Sequence, residues 1–219
     1  MRISKHIHSC LFIEEGGTRI LVDPGIFSFI EGLVKPEQFT NLSAIFITHN
    51  HRDHADPEAL KIMMEHNPSA VVYGNADTKN LLAEKHIPVE IFEEGMKEID
   101  HITIEAFPAT HEKIMSKAPQ NTAYLFNKKF LITGDSLDPH LEVHKGVRVL
   151  AFTVAAPWAN QRQLTEFGKL IAPKIAIPIH DGFLKEFFLP SQYYGFKEYF
   201  AEFGTEFHPL ESRETLDIS

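Results

Sequence analysis

The amino-acid sequence predicts an α/β fold in which sheets are covered by helices. Three observations carry this. Short apolar runs of strand length recur, among them "AIFITH", "SAVVYG" and "KIAIPIH", as expected of strands buried on both faces. Amphipathic segments stand between them, as in "DPEALKIMMEHN", which opens on helix-start residues, and "ANQRQLTEFGKLIAP". The order runs from strands alone to strands mixed with helices, which suits layers packed on one core.

The first 22 residues read as strands, with "HSCLFIEE" and "TRILVDPG" joined by a glycine-containing hairpin turn. "AIFITH" follows as a buried strand. In "DPEALKIMMEHN", Asp56 suits the N-cap and Pro57 the first helical turn, and Leu60, Met63 and Met64 share a face. "SAVVYG" is a strand and "NADTKNLLAEKHI" a helix. "VEIFEEG", "KEIDHITIEAFPA", "NTAYLFNKKFLITGDS" and "VRVLAFTV" supply further strands. "ANQRQLTEFGKLIAP" is a helix, "KIAIPIH" a strand, and "LPSQYYGFKEYFAEFG" an aromatic-rich final helix. No linker, low-complexity tract or repeat interrupts residues 1–219, so a single domain is expected.

Composition narrows the function. The formal net charge is −9 and no basic stripe stands out. That balance does not suit a nucleic-acid binder, whose affinity comes from Lys and Arg neutralising phosphates. Cys10 is the single cysteine, which argues against a disulfide framework and fits a reducing cytosol. The start "MRISKHIHSC" lacks the apolar core of a secretory signal, and no run is long enough for a membrane span. A cytoplasmic location is expected, and a homo-oligomer is left open. The 13 histidines are the unusual count. His66, His86, His101 and His208 read as surface residues.

Histidine concentrates in "THNHRDHAD", where His49, His51, Asp53 and His54 have the form H-x-H-x-D-H straight after an apolar strand. In extended backbone, residues two apart point the same way, so His49 and His51 can meet one metal ion. A turn after them aims Asp53 and His54 at a second point nearby. Imidazole and carboxylate donors suit Zn²⁺, and also iron or manganese. Two ions need more ligands than these. His111 in "PATHEK", Asp135 in "LITGDS" and His180 in "IPIHDG" each stand just past a strand. Gly134 before Asp135 allows close backbone approach.

At these residues the chain resembles the metallo-β-lactamase fold superfamily of metal-dependent hydrolases. "ILVDPG", "THNHRDHAD", "THEK", "TGDS" and "IPIHDG" look like its successive motifs. "HSCLFIEEGGTRILVDPG" and "NTAYLF" resemble the small branch that includes ascorbate-6-phosphate lactonase and N-acyl-phosphatidylethanolamine phospholipase D. The chain departs from that branch at Ile7, where glycine is frequent, and at "TVAAPWAN", where a Gly-Gly loop is common. The resemblance implies an αβ/βα four-layer sandwich with the site at one edge of two facing sheets. It implies that His49, His51 and His111 bind a first divalent ion, that Asp53, His54 and His180 bind a second, and that Asp135 bridges them. Asp23 would orient a ligand loop.

Two Zn²⁺ with Asp53, Asp135 and one hydroxide sum to a formal charge of about +1, so the site stays positive within an acidic chain. Water bound there ionises near pH 7, and the resulting hydroxide is expected to attack a small ester, lactone or phosphodiester. Asp53 is expected to steer the proton, and His8 is the first candidate for the acid serving a leaving group. Arg162, Lys113 and Asn121 are candidates to hold an anionic group, or else solvated surface residues. Trp158 reads as core or pocket lining, and His140 and His144 as entrance or surface residues. The alternatives are a nuclease of the same fold, a single-iron oxidoreductase resembling persulfide dioxygenases, and a metal-binding structural protein without catalysis.

Overall fold

The computed structural model describes residues 1–113, 117–210 and 214–219. Arg2–Lys5 (β1), Leu11–Glu15 (β2) and Thr18–Val22 (β3) form an antiparallel meander. Gly16 and Gly17 close the β2–β3 hairpin at positive φ, the backbone that a two-residue turn between twisted strands requires. Ala44–Phe46 (β4) then runs parallel to β3, and Val71–Gly74 (β5) and Val89–Ile91 (β6) extend the parallel set. Pro57–His66 (α1) and Ala76–Ala83 (α2) are the crossovers. Asp56 caps α1 by accepting from the Glu58 N–H, and Asn75 caps α2 through the Thr78 N–H, each satisfying an otherwise orphaned donor.

The second half builds a like sheet. Gly95–Ile99 (β7), Ile102–Pro108 (β8), Thr122–Phe126 (β9) and Phe130–Ile132 (β10) are antiparallel neighbours. Val149–Thr153 (β11) and Ile175–Ile179 (β12) join parallel to β10, with Gln161–Ile171 (α3) crossing between them. Leu189–Ala201 (α4) packs on the outer face. Asn160 and Gln163 form a reciprocal capping box at the start of α3. Pro178 lies inside β12, but the short strand Glu206–Phe207 (β13) pairs only with Ile175 and Ala176. That side of β12 therefore has no ladder for the proline to interrupt.

The result is two seven-stranded sheets, β6 to β3, β2, β1 and the terminal Thr215–Asp217 (β14) in one, β7 to β13 in the other. Three apolar layers follow. Ile13, Phe46, Tyr124, Phe126 and Ile177 pack between the sheets. Leu60, Met63 and Leu82 cover the outer face of the first sheet with Ile45 and Ile47. Leu164, Phe167, Phe196 and Phe200 cover the second with Leu150 and Phe152. This is an αβ/βα four-layer sandwich, the architecture implied by the sequence motifs. Met64, expected on the core face of α1, is only partly buried. The two short terminal strands carried no distinct signal, because their pairing partners lie far away in sequence. No helix among the described residues is long and apolar enough to cross a membrane.

Candidate metal centre

Five strands, four from the parallel sets and the antiparallel β8, deliver their carboxyl ends to one edge of the sandwich. Asp23 follows β3, residues 48–54 follow β4, His111 follows β8, Asp135 follows β10 and His180 follows β12. Loops beyond the carboxyl ends of parallel strands are where α/β sheets gather polar groups. The sheets are pinned together here by the Thr48 carbonyl, which accepts from Thr122 N at 2.9 Å and from Asn75 Nδ2 at 2.9 Å. The buried Tyr124 hydroxyl donates across the sandwich to the Ile47 carbonyl at 3.1 Å.

Two adjoining groups of side chains meet at that edge. His49, His51, His111 and Asp135 form one, and His8, Asp53, His54 and His180 the other. Within each group the ligand atoms lie within 4.8 Å of one another. All seven residues expected as ligands are thus together, and His8 joins them.

Hydrogen bonds decide which ring atoms face inward. A carbonyl or carboxylate only accepts, so an imidazole nitrogen against one must carry a proton. His180 Nδ1 donates to the Ala155 carbonyl at 2.8 Å, and His111 Nδ1 to the Glu112 carbonyl at 2.5 Å. His54 Nδ1 donates to Asp23 Oδ2 at 2.8 Å. The Thr48 hydroxyl donates to Asp23 Oδ2, also at 2.8 Å, and accepts from His49 Nδ1 at 3.0 Å. Four imidazoles therefore spend their Nδ1 protons outward and turn Nε2 lone pairs inward. His49 Nε2, His111 Nε2 and Asp135 Oδ1 are buried without a hydrogen-bond partner. His54 Nε2 and His180 Nε2 lie 3.2 Å apart, and 3.3 and 3.1 Å from Asp135 Oδ1. Lone pairs crowded this way repel unless a cation sits among them, so the residues present fit divalent ions of the imidazole–carboxylate class.

Charge and burial act together on these groups. Burial pushes His49, His51 and His111 below the ordinary histidine value. Burial also pushes down on His180, but the Asp135 and Asp53 carboxylates outweigh it and carry the ring up to about 9. His54 is raised in the same way, with Asp135 and Asp23 overcoming its burial. Burial would raise Asp53 and Asp135, yet the surrounding imidazoles hold both well below the ordinary carboxylate range.

Asp23 braces the ligand loop. Besides its two contacts at Oδ2, its Oδ1 accepts from the Thr48 N–H at 2.7 Å. Two glycines let the loops close. A Cβ on Gly25 would stand 1.9 Å from the Asp53 carbonyl oxygen, and one on Gly134 2.1 Å from Asn121 Oδ1. Asn121 is a brace and holds no anion: its Oδ1 accepts from Asp135 N at 3.3 Å, and its Nδ2 donates to the Ala109 and Thr133 carbonyls. Arg162 pairs with Glu166 on exposed α3. Lys113 lines a neighbouring hollow with Asn75, Glu93 and Gln120. His140 is exposed beside Asp138, and His144 stacks on Phe107.

Sequence reasoning left two residues without their structural place. Trp158 donates its indole N–H to Asp135 Oδ2 at 2.7 Å, so it packs in the core and also holds a carboxylate of the centre. Arg52, an x position of the ligand motif, lines the cleft before the two groups. Its place between His51 and Asp53 was the available signal.

His8 differs from the other rings. The Gly182 N–H donates to its Nδ1 at 3.1 Å, so its proton resides on Nε2, 3.2 Å from Asp53 Oδ2. His8 thus turns a donor toward Asp53 rather than a lone pair toward an ion. Beneath it, Asp181 accepts from His8 N, from Tyr193 and from the buried Lys5 ammonium. Burial lowers the His8 ring to about 4.

Residues 2–180 match the family described as Beta-lactamase superfamily domain. Protein Rv0786c of Mycobacterium tuberculosis is 35% identical over 192 residues, 82% of this chain and 84% of its own length. The UPF0173 metal-dependent hydrolase PYRAB05000 of Pyrococcus abyssi is 26% identical, over 79% of this chain and 81% of its own. The structure of Igni18, a metallo hydrolase from Ignicoccus hospitalis, superposes with a TM-score of 0.74 at 19% identity. It covers 100% of this chain, which spans 99% of that one. With the family model spanning most of its length, the chain belongs to the beta-lactamase superfamily, the family its ligand motifs resemble.

Proposed function

We propose that this metal-dependent hydrolase works with two divalent ions, zinc in the first instance, and acts on a small ester, lactone or phosphodiester. One observation carries the proposal: two adjoining sets of ligand atoms, with four imidazole lone pairs turned inward and outward-spent Nδ1 protons. His49, His51 and His111 would hold one ion, Asp53, His54 and His180 the other, with Asp135 shared. Bound divalent ions ionise water near neutral pH and polarise a carbonyl or phosphoryl oxygen.

The chain's own groups supply the rest. Asp53 is partly open to the cleft, with 17% of its side chain exposed, and is the base placed to take a proton and return it to a leaving group. His8 donates to Asp53 Oδ2 and so fixes which oxygen remains free. With its ring lowered to about 4, His8 is neutral at pH 7 and keeps one proton, on the Nε2 that faces Asp53. In this reading Asp53 relays the proton and His8 acts on it as a positioning residue. Trp158 takes one lone pair of Asp135 Oδ2, and Asp23 sets the tautomer of His54 directly and that of His49 through Thr48.

The cleft volume of about 340 Å³ favours a small molecule. The net charge of −9 weighs against nucleic acid. The buried Cys10 accords with a reducing, cytoplasmic setting. Metal analysis of the purified chain tests the reading. Two zinc or manganese ions per chain, falling to about one in His180→Ala, are expected. A single iron per chain in the active protein would replace it with oxygen chemistry.

A further inference from the structure

The cleft before the two groups has walls that ligand duty does not explain. Ile26, Phe27, Pro157, Trp158 and Phe183 line it alongside His51, Asp53, Asp135 and His180. Phe27 and Phe183 meet edge to face, with ring centroids 5.1 Å apart, and both lie against His8. Phe183 stays 46% exposed although it is large and apolar. A half-open aromatic wall beside a cluster of charged groups gains by covering itself with an apolar ligand body.

One cation shares this lining. Arg52 is exposed, and among the described residues its guanidinium makes no ion pair or side-chain hydrogen bond. Of the other basic candidates, Lys113 lines a separate hollow and the remaining two are paired. Lys5 is buried on Asp181, and Arg162 is paired with Glu166. Arg52 stands one residue from His51 and one from Asp53, so an anion held by it lies close to the reacting centre. Guanidinium recognises carboxylate and phosphate oxygens through paired N–H donors.

We infer that the cleft selects substrates with an aryl or branched-alkyl body and a carboxylate arm, the body seated on Phe27, Phe183 and Trp158 and the arm on Arg52. This inference deepens the hydrolase reading of the same site and rests on it for the chemistry, but the binding preference stands separately.

The experiment compares the zinc-loaded full chain with R52Q and R52K, using phenyl acetate and 4-acetoxybenzoate, a neutral ester and its carboxylated counterpart. The quantity read is the ratio of the two kcat/KM values. Wild type favours 4-acetoxybenzoate; R52Q lowers the ratio by about fivefold, a modest factor because the guanidinium is exposed; R52K retains most of it. An unchanged ratio in R52Q overturns the inference. If wild type cleaves neither ester, ester hydrolysis fails for these compounds and binding decides. Benzoate is then titrated against the fluorescence of Trp158, the only tryptophan. About fivefold weaker binding to R52Q upholds the anion site, and equal binding overturns it.

Discussion

Loading the metal-free protein with Zn²⁺ should expel a proton that the geometry locates. His54 and His180 each commit Nδ1–H outward, and their Nε2 atoms lie 3.2 Å apart beside Asp135 Oδ1. With no ion present, one proton between the rings relieves the repulsion of these three acceptors. Two protons would set N–H against N–H at that distance, so the pair titrates as a unit. Asp135 and Asp53 raise His180 to about 9 against its burial, so at pH 6 the shared proton is essentially fully bound. His49, His51 and His111 are lowered by burial, which disfavours a proton on them. Water at the ions, with a pKa near 7, still keeps its proton at pH 6. Release of about one proton per chain is therefore expected. Calorimetric titration of chelator-treated protein at pH 6, in buffers of different ionisation enthalpy, gives that number as a slope. A slope of zero, or proton uptake, would refute the proton shared between His54 and His180.

Other outcomes follow from the same coordinates. W158F should weaken metal binding by about tenfold, the scale expected when a hydrogen bond to a ligating carboxylate is lost, as measured by competition with a chromophoric chelator. In wild type, zinc loading should shift the emission of this lone tryptophan, because its indole N–H rests on Asp135. Gly134→Ala should destabilise the fold by more than about 1 kcal/mol in chemical denaturation. Its φ of +59° disfavours a side chain, and the new Cβ would collide with Asn121. His8 sits at about 4 when folded and near 6.5 when unfolded. The unfolded chain thus binds more protons between these values, and stability falls as pH drops from about 6.5 to about 4. His8→Gln should flatten that part of the thermal unfolding profile relative to wild type. Cys10 is fully buried and its thiol is pushed up by burial, so iodoacetamide should label it only on unfolding, as read by mass spectrometry.

What the sequence determined by itself was local chemistry and local periodicity. The continuous apolar runs became strands such as β9, β11 and β12, buried along their whole length, because a strand covered on both faces has no polar side to show. Asp56 marked the start of α1, because capping depends on residues within a few positions. The candidate ligand set was readable because coordination restricts residue types so strongly that His and Asp past successive strands stand out. Tertiary structure alone decided how those groups meet. The proton positions of His49, His54, His111 and His180 depend on acceptors supplied by Thr48, Asp23 and the Glu112 and Ala155 carbonyls. The donor that His8 turns toward Asp53 is set by Gly182, 174 residues away in sequence, whose N–H meets the other ring nitrogen. Trp158 reaches Asp135 across 23 residues, and Arg52 becomes a cleft residue only when Phe27 and Phe183 close beside it. Hydrogen bonds and desolvation act over a few ångströms of space, whatever the distance along the chain, so these roles exist only once the two sheets have closed on each other.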